Sequence, residues 1–133
     1  TIKHFKDLEI WKMSRILCNE IHTIILNTPL KNDYKLKEQI NGSSGSVMDN
    51  IAEGFERNGN KEFRQSLSIA KGSCGETQSQ LSRVFDRNYI DKKKFDELIN
   101  LTIEIGKKIG SFIKYLNNTE YKGHKFSDSN AKH

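Results

Sequence analysis

The chain has 133 residues, with 22 Lys or Arg against 17 Asp or Glu, for a formal net charge of +5. That length supports one domain, and a hydrophobic share of 35% with a mean hydropathy of -0.71 favours thin helices with broad wet faces over a thick core. No apolar run approaches the roughly 18 residues of a membrane span and no signal-like segment opens the sequence, so a cytoplasmic protein without membrane contact is expected.

The first periodic segment places Ile10, Met13, Leu17, Ile21 and Ile24 at spacings of three and four, which predicts a helix over 7–27 with Asp7 as its N-cap. Asn27-Thr28-Pro29 ends it.

The second segment contains the stretch QINGSSGSVMDNIAEGFERNGN, Gln39 to Asn60, whose glycines and serines suggest a linker or a phosphate loop at first sight. Leu36, Ile40, Val47, Ile51 and Phe55 nevertheless keep helical phase across it, with Ser43 or Ser44 filling the missing turn. A linker has no reason to preserve phase, and neither GxxxxGK[ST] nor GxGxxG is present, so one helix over 34–56 is expected, capped by Asn32 or Asp33. Gly42, Ser46, Asn50 and Gly54 recur every fourth residue as a strip on which another backbone can pack closely. Interior glycine costs about 1 kcal/mol relative to alanine, so Gly42, Gly45 and Gly54 disfavour the isolated helix by roughly 3 kcal/mol, which only packing offsets.

After the turn Asn58-Gly59-Asn60, with Asn60 as the expected cap, Phe63, Leu67, Ala70, Cys74, Thr77, Leu81 and Val84 step by four and three through a third helix. Gly72, Ser73 and Gly75 give it a narrow waist, expected to face the small patch of helix two or a common neighbour. Asn88 reads as a left-handed C-cap and Asp91 as the cap of helix four. There Phe95, Leu98, Thr102, Ile105, Ile109, Phe112 and Leu116 form the core seam. Ile99, Ile103, Gly106, Gly110 and Ile113 form a second edge that points to a subunit contact. Residues 1–116 therefore predict an all-α, antiparallel up-down-up-down four-helix bundle, and the polar, aperiodic stretch 117–133 a flexible tail.

Candidate chemistry is sparse. The four histidines share no helical face, no Glu precedes a His by three residues, and Cys18 and Cys74 lack CxxC or CxxH spacing, so no metal or cofactor is expected. Glu53 and Glu76 form an acid pair only if they face each other across the bundle, and no serine has an adjacent histidine base, so no catalytic residue is assigned. The basic side chains remain. Arg57, Lys61 and Arg64 surround the second turn, Arg83 and Arg87 close helix three, and Lys92, Lys93 and Lys94 open helix four, where they oppose the helix dipole. These eight are the candidate nucleic-acid contacts, reading backbone rather than stacked bases, since only Tyr89 and Phe95 lie nearby as rings.

The segments FKDLEIWKMSRIL, YKLKEQI and NIAEGFERNGNKEFRQSLSIAKGSCGETQSQL resemble the four-helix family of 23S rRNA intervening-sequence proteins and diversity-generating retroelement accessory proteins, over about residues 4–116. The resemblance implies a bacterial cytosolic protein assembled as a ring of protomers, a homopentamer, carrying a ribosomal-protein label. In retroelement members it implies binding of nucleic acid and of a reverse transcriptase. Where relatives carry a basic pair after Gln-Ile in helix two, this chain has Asn41-Gly42, which weakens the case for nucleic-acid affinity. The functional expectation is a non-enzymatic homo-oligomer that contacts RNA or DNA backbone; the alternative is a ring scaffold that docks a partner protein.

Overall fold

A computed structural model describes residues 2–119, so the expected tail lies outside the described residues beyond Thr119. Four helices, α1 (Glu9–Asn27), α2 (Tyr34–Glu56), α3 (Asn60–Asp86) and α4 (Lys92–Asn117), run up-down-up-down, and there is no strand among the described residues. Each helix packs on its chain neighbours, and α1 closes the bundle against α4.

Two of the expected caps change, and a third holds its position without a side-chain capping bond. Asp7 does not cap α1, because the chain first makes a single 3-10 turn, Phe5–Asp7, closed by the Leu8 amide on the Phe5 carbonyl. Leu8 then holds the N-cap position without a side-chain bond and is fully buried, while the Phe5 ring meets Trp11 edge-on at 5.3 Å. The anchor at this end is apolar packing. Asp33 stands at the N-cap of α2 but turns its carboxylate to Arg87 and Tyr89. Asn60 is the first helical residue of α3, and the cap is Gly59 at φ 134. Its carboxamide serves a different helix end, donating to the Leu116 and Thr119 carbonyls, each at 2.8 Å. Asp91 does cap α4, accepting from the Lys94 amide, and Asn88 takes φ 60 in the left-handed region.

The core follows the predicted seams. All seven α3 positions from Phe63 to Val84 are buried, and Phe55, Phe63 and Phe112 meet as tilted or edge-on ring pairs at one end. In α1 the seam is broader than expected: Trp11, Ser14 and Ile25 are buried, while Met13 is half-exposed. Ser14 tolerates burial by donating to the Ile10 carbonyl at 2.6 Å.

α2 is one unbroken helix through Gly42–Ser46, and of the small patches expected to face each other at mid-helix the hydroxyl residues of α2 and α3 meet while Gly42, Gly45, Gly72 and Gly75 do not. The seam is polar at its centre. Ser43 lies 2.9 Å from the Thr77 hydroxyl and donates to the Gln80 carboxamide oxygen, and Ser73 donates to Ser46 at 2.9 Å. At its end, a Cβ on Gly54 would stand 2.6 Å from Ser66 Cβ, so only glycine fits.

The strip Gly42, Ser46, Asn50 and Gly54 does not stay in this seam. Each four-residue step turns about 40° around a helix with ~3.6 residues per turn, so a strip buried at Gly54 has rotated onto the open face by Gly42. No described residue comes within 4 Å of where a Cβ would stand on Gly42, Gly45, Gly72, Gly75 or Gly106. Close packing inside the protomer therefore explains Gly54 and leaves those five unexplained.

Candidate functional site

The eight basic residues singled out from the sequence fall at opposite ends of the bundle. α1 and α3 point one way, α2 and α4 the other, so Arg57, Lys61 and Arg64 share an end with the α4 C-terminus. Arg83, Arg87 and Lys92 to Lys94 lie roughly 28 Å away along α3, at ~1.5 Å per residue.

The far group is largely engaged by the protein itself. Arg83 donates to the Gln39 carboxamide at 2.9 Å, Arg87 pairs with Asp33, Lys92 with Asp96 at 2.7 Å, and Lys94 with Glu20 and Glu97 at 3.3 Å each. Lys93 alone of these is exposed with neither an ion pair nor a side-chain hydrogen bond among the described residues. The Asp33 carboxyl is held below its ordinary range chiefly by the Tyr89 hydroxyl at 2.9 Å; burial opposes this, and Arg87 adds to the lowering. The Lys94 ammonium is held above its ordinary range by Glu97 first and Glu20 next.

The near group opens onto a different surface. Arg64 reaches across to α4, donating from Nη1 to Asn117 Oδ1 at 2.7 Å, and Lys71 Cε lies 3.4 Å from where a Cβ would stand on Gly110. These contacts fix the antiparallel register of α3 and α4, and that register gathers charge that is scattered in sequence. Residues 61–75 and 105–119 hold six Lys or Arg and one Glu, which leaves sixteen basic and sixteen acidic side chains over the rest of the chain. The whole formal excess of +5 therefore sits on one half of the α3–α4 hairpin.

Lys61, Lys71, Lys107 and Lys114 are exposed there, with no ion pair among the described residues, whereas Lys108 is held by Glu9 at 3.1 Å. Between the two helices runs an open groove of about 680 Å³ lined by Lys61, Arg64, Ser68, Ile69, Ile113 and Asn117, among others. Arg57, at the adjoining turn, shares its charge with Glu53 in an exposed pair at 2.9 Å, an arrangement that contributes little.

Sequence reasoning found Lys61 and Arg64 and missed Lys71, Lys107 and Lys114. No run longer than the pair Lys107-Lys108 marks these three, and only the pairing of position 71 with 110 brings them together.

The acid pair does not form. Ser43 meets Thr77 and Gly54 meets Ser66, so Glu53 and Glu76 stand about nine residues apart along the seam, roughly 13 Å, and both are exposed. Burial pushes the Cys74 thiol up to about 12, and burial followed by nearby Asp49 raises that of Cys18, so both stay protonated at neutral pH. No group of three or more His, Cys, Asp or Glu among the described residues is placed to hold a metal ion, and no described helix is long and apolar enough to cross a membrane.

The fold and surface thus define an all-α antiparallel four-helix bundle with one basic hairpin face. Residues 6–111 match the family described as 23S rRNA-intervening sequence protein, and the chain belongs to that family. It is also similar to a solved structure of a protein of unknown function from the S23 ribosomal protein family of Bacteroides thetaiotaomicron VPI-5482. The two are 24% identical with a TM-score of 0.72, over 79% of this chain and 98% of that one, a likeness that shows the fold. No curated protein matches. These comparisons carry the intervening-sequence side of the resemblance and lend nothing to the retroelement side.

Proposed function

We propose that this protein is a non-enzymatic, self-associating helical bundle of the cytoplasm that binds RNA or DNA backbone through the α3–α4 face. The observation that carries this reading is the confinement of the net charge of +5 to residues 61–75 and 105–119, with four lysines there that have no acid partner among the described residues. Unpaired lysines on a helical face meet phosphates as point charges, without selecting bases. Binding of this kind is weakly sequence-selective and falls steeply with salt. Titrating the protein against a structured RNA and a DNA duplex at low and raised salt tests it. Affinity that drops with salt supports the reading; absent affinity, or affinity indifferent to salt, removes it.

Self-association is supported by the five helical glycines that no packing among the described residues requires. At about 1 kcal/mol each relative to alanine they weaken the helices by roughly 5 kcal/mol, a cost that contact with another copy offsets. Exposed Ile16 and Leu26 on α1 and Ile69 and Ile103 on the α3–α4 side lie on different faces. Two unlike patches favour a head-to-tail ring, such as a pentamer, over a two-fold dimer. The mass of the assembly in solution tests this part: a closed multiple of the protomer is expected, and a monomer at micromolar concentration contradicts it.

A scaffold that docks a partner protein is the second reading, favoured by the same exposed Ile16 and Leu26, which have no nucleic-acid role. Recovery of a protein partner after nuclease treatment, lost on Ile16→Ser with Leu26→Ser, favours it.

A further inference from the structure

The dipeptide Asn-Gly occurs twice, and the fold treats the two copies differently. Asn41-Gly42 lies in the middle of α2, where the Gly42 amide belongs to the i→i−4 ladder and backbone ψ is held near about −42°. Asn58-Gly59 lies between helices, after Arg57 at ψ 146 and with Gly59 at φ 134 and ψ 142. Asn58 is exposed, and among the described residues neither its carboxamide nor the Gly59 N–H makes a hydrogen bond. Gly59 cannot be exchanged for a larger residue, since its φ is left-handed and the Glu62 carboxylate covers the side where a Cβ would stand. The turn therefore holds an amide nitrogen that makes no hydrogen bond among the described residues, on a residue with no side chain of its own, next to a carboxamide that makes none either.

We propose that Asn58 is a site of spontaneous deamidation through a cyclic imide, and that the helix protects Asn41. The Gly59 nitrogen, giving up its proton, bonds to Asn58 Cγ. The bond from Cγ to the side-chain nitrogen breaks, and ammonia leaves carrying that proton. Water then opens the ring at one carbonyl or the other, which yields aspartate or isoaspartate. No oxidant or metal takes part.

Two consequences follow from the position. A carboxylate replaces a neutral amide between Arg57 and Lys61, at the basic end of the bundle, and isoaspartate adds a carbon to the backbone of the turn joining α2 to α3. The first consequence bears on phosphate binding and rests on the proposed function; the modification itself does not.

The test is peptide mapping of the full chain after incubation in mildly alkaline buffer, native and in denaturant, with isoaspartyl methyltransferase as the probe for isoaspartate. In the native protein the Asn58 peptide is expected to gain the mass of hydroxyl replacing amine and to accept methyl groups, while the Asn41 peptide stays unchanged; in denaturant both convert. An intact native Asn58, or native Asn41 converting as fast, overturns the proposal. Asn58→Asp is expected to bind RNA more weakly than Asn58→Ser at low salt. Equal binding by the two contradicts the link to phosphate contact and leaves the mapping result standing by itself.

Discussion

Gly54 of α2 and Ser66 of α3 are in such close register that a Cβ on the glycine would lie 2.6 Å from the serine's own Cβ. Gly42, three four-residue steps earlier on the same helix, faces open space. The two glycines are expected to respond oppositely to substitution.

Gly54→Ala is expected to destabilise the protein by about 1–3 kcal/mol, because the overpacking outweighs the gain in helix propensity. Gly42→Ala and Gly45→Ala are each expected to raise protomer stability by about 0.5–1 kcal/mol. Urea midpoints at fixed m-value decide the comparison. Gly42→Leu keeps α2 helical and, if that flank receives another copy, lowers the mass of the assembly.

The buried hydroxyl cluster of the α2–α3 seam gives a second expectation. Gln80 accepts from Ser43, which sits against Thr77, and all three side chains are buried. Gln80→Ala removes that acceptor and opens a gap, with an expected cost of about 1–3 kcal/mol. Thermal unfolding of the single variant measures it. A change within the scatter of surface substitutions, about 0.5 kcal/mol, would mean that water replaces the lost partner.

The contact of Asp33 with Tyr89 and Arg87 is pH-dependent at both extremes. An acid held below its ordinary range contributes stability above its unfolded pKa and loses it as pH falls through the folded value, so the Asp33 contribution fades below about pH 4. The Tyr89 phenol is raised, first by its bond to Asp33, so its contribution is present below about pH 10 and is lost as pH rises through the folded value. The stability difference between wild type and Asp33→Asn is expected to be constant near neutrality and to shrink on the acid side.

Much of this fold was readable because period and chemistry agreed. The α3 positions from Phe63 to Val84 repeat apolar or small groups at four and three, and every one is buried. The polar caps were less readable, because a capping residue type does not reveal which helix end it serves: Asn60 clamps the C-terminus of α4, and Asp33 answers Arg87 and Tyr89. The basic face was readable only in part. A run such as Lys92-Lys93-Lys94 stands out in a linear sequence, yet Asp96, Glu20 and Glu97 neutralise two of its members. Lys71 and Lys114 stand alone in sequence and Lys107 has only Lys108 beside it, and the three become neighbours through the α3–α4 register.

The most direct measurement is the salt dependence of RNA affinity for two sets of charge-neutralising substitutions. Replacing Lys61, Lys71, Lys107 and Lys114 with Gln is expected to flatten the slope of log K against log salt by roughly 3 to 4 units, at ~0.7–0.9 per phosphate contact. Replacing Arg83, Arg87 and Lys92 with Gln is expected to leave it nearly unchanged. Equal slopes for wild type and the first set, or a greater loss from the second, would contradict the assignment of the α3–α4 face.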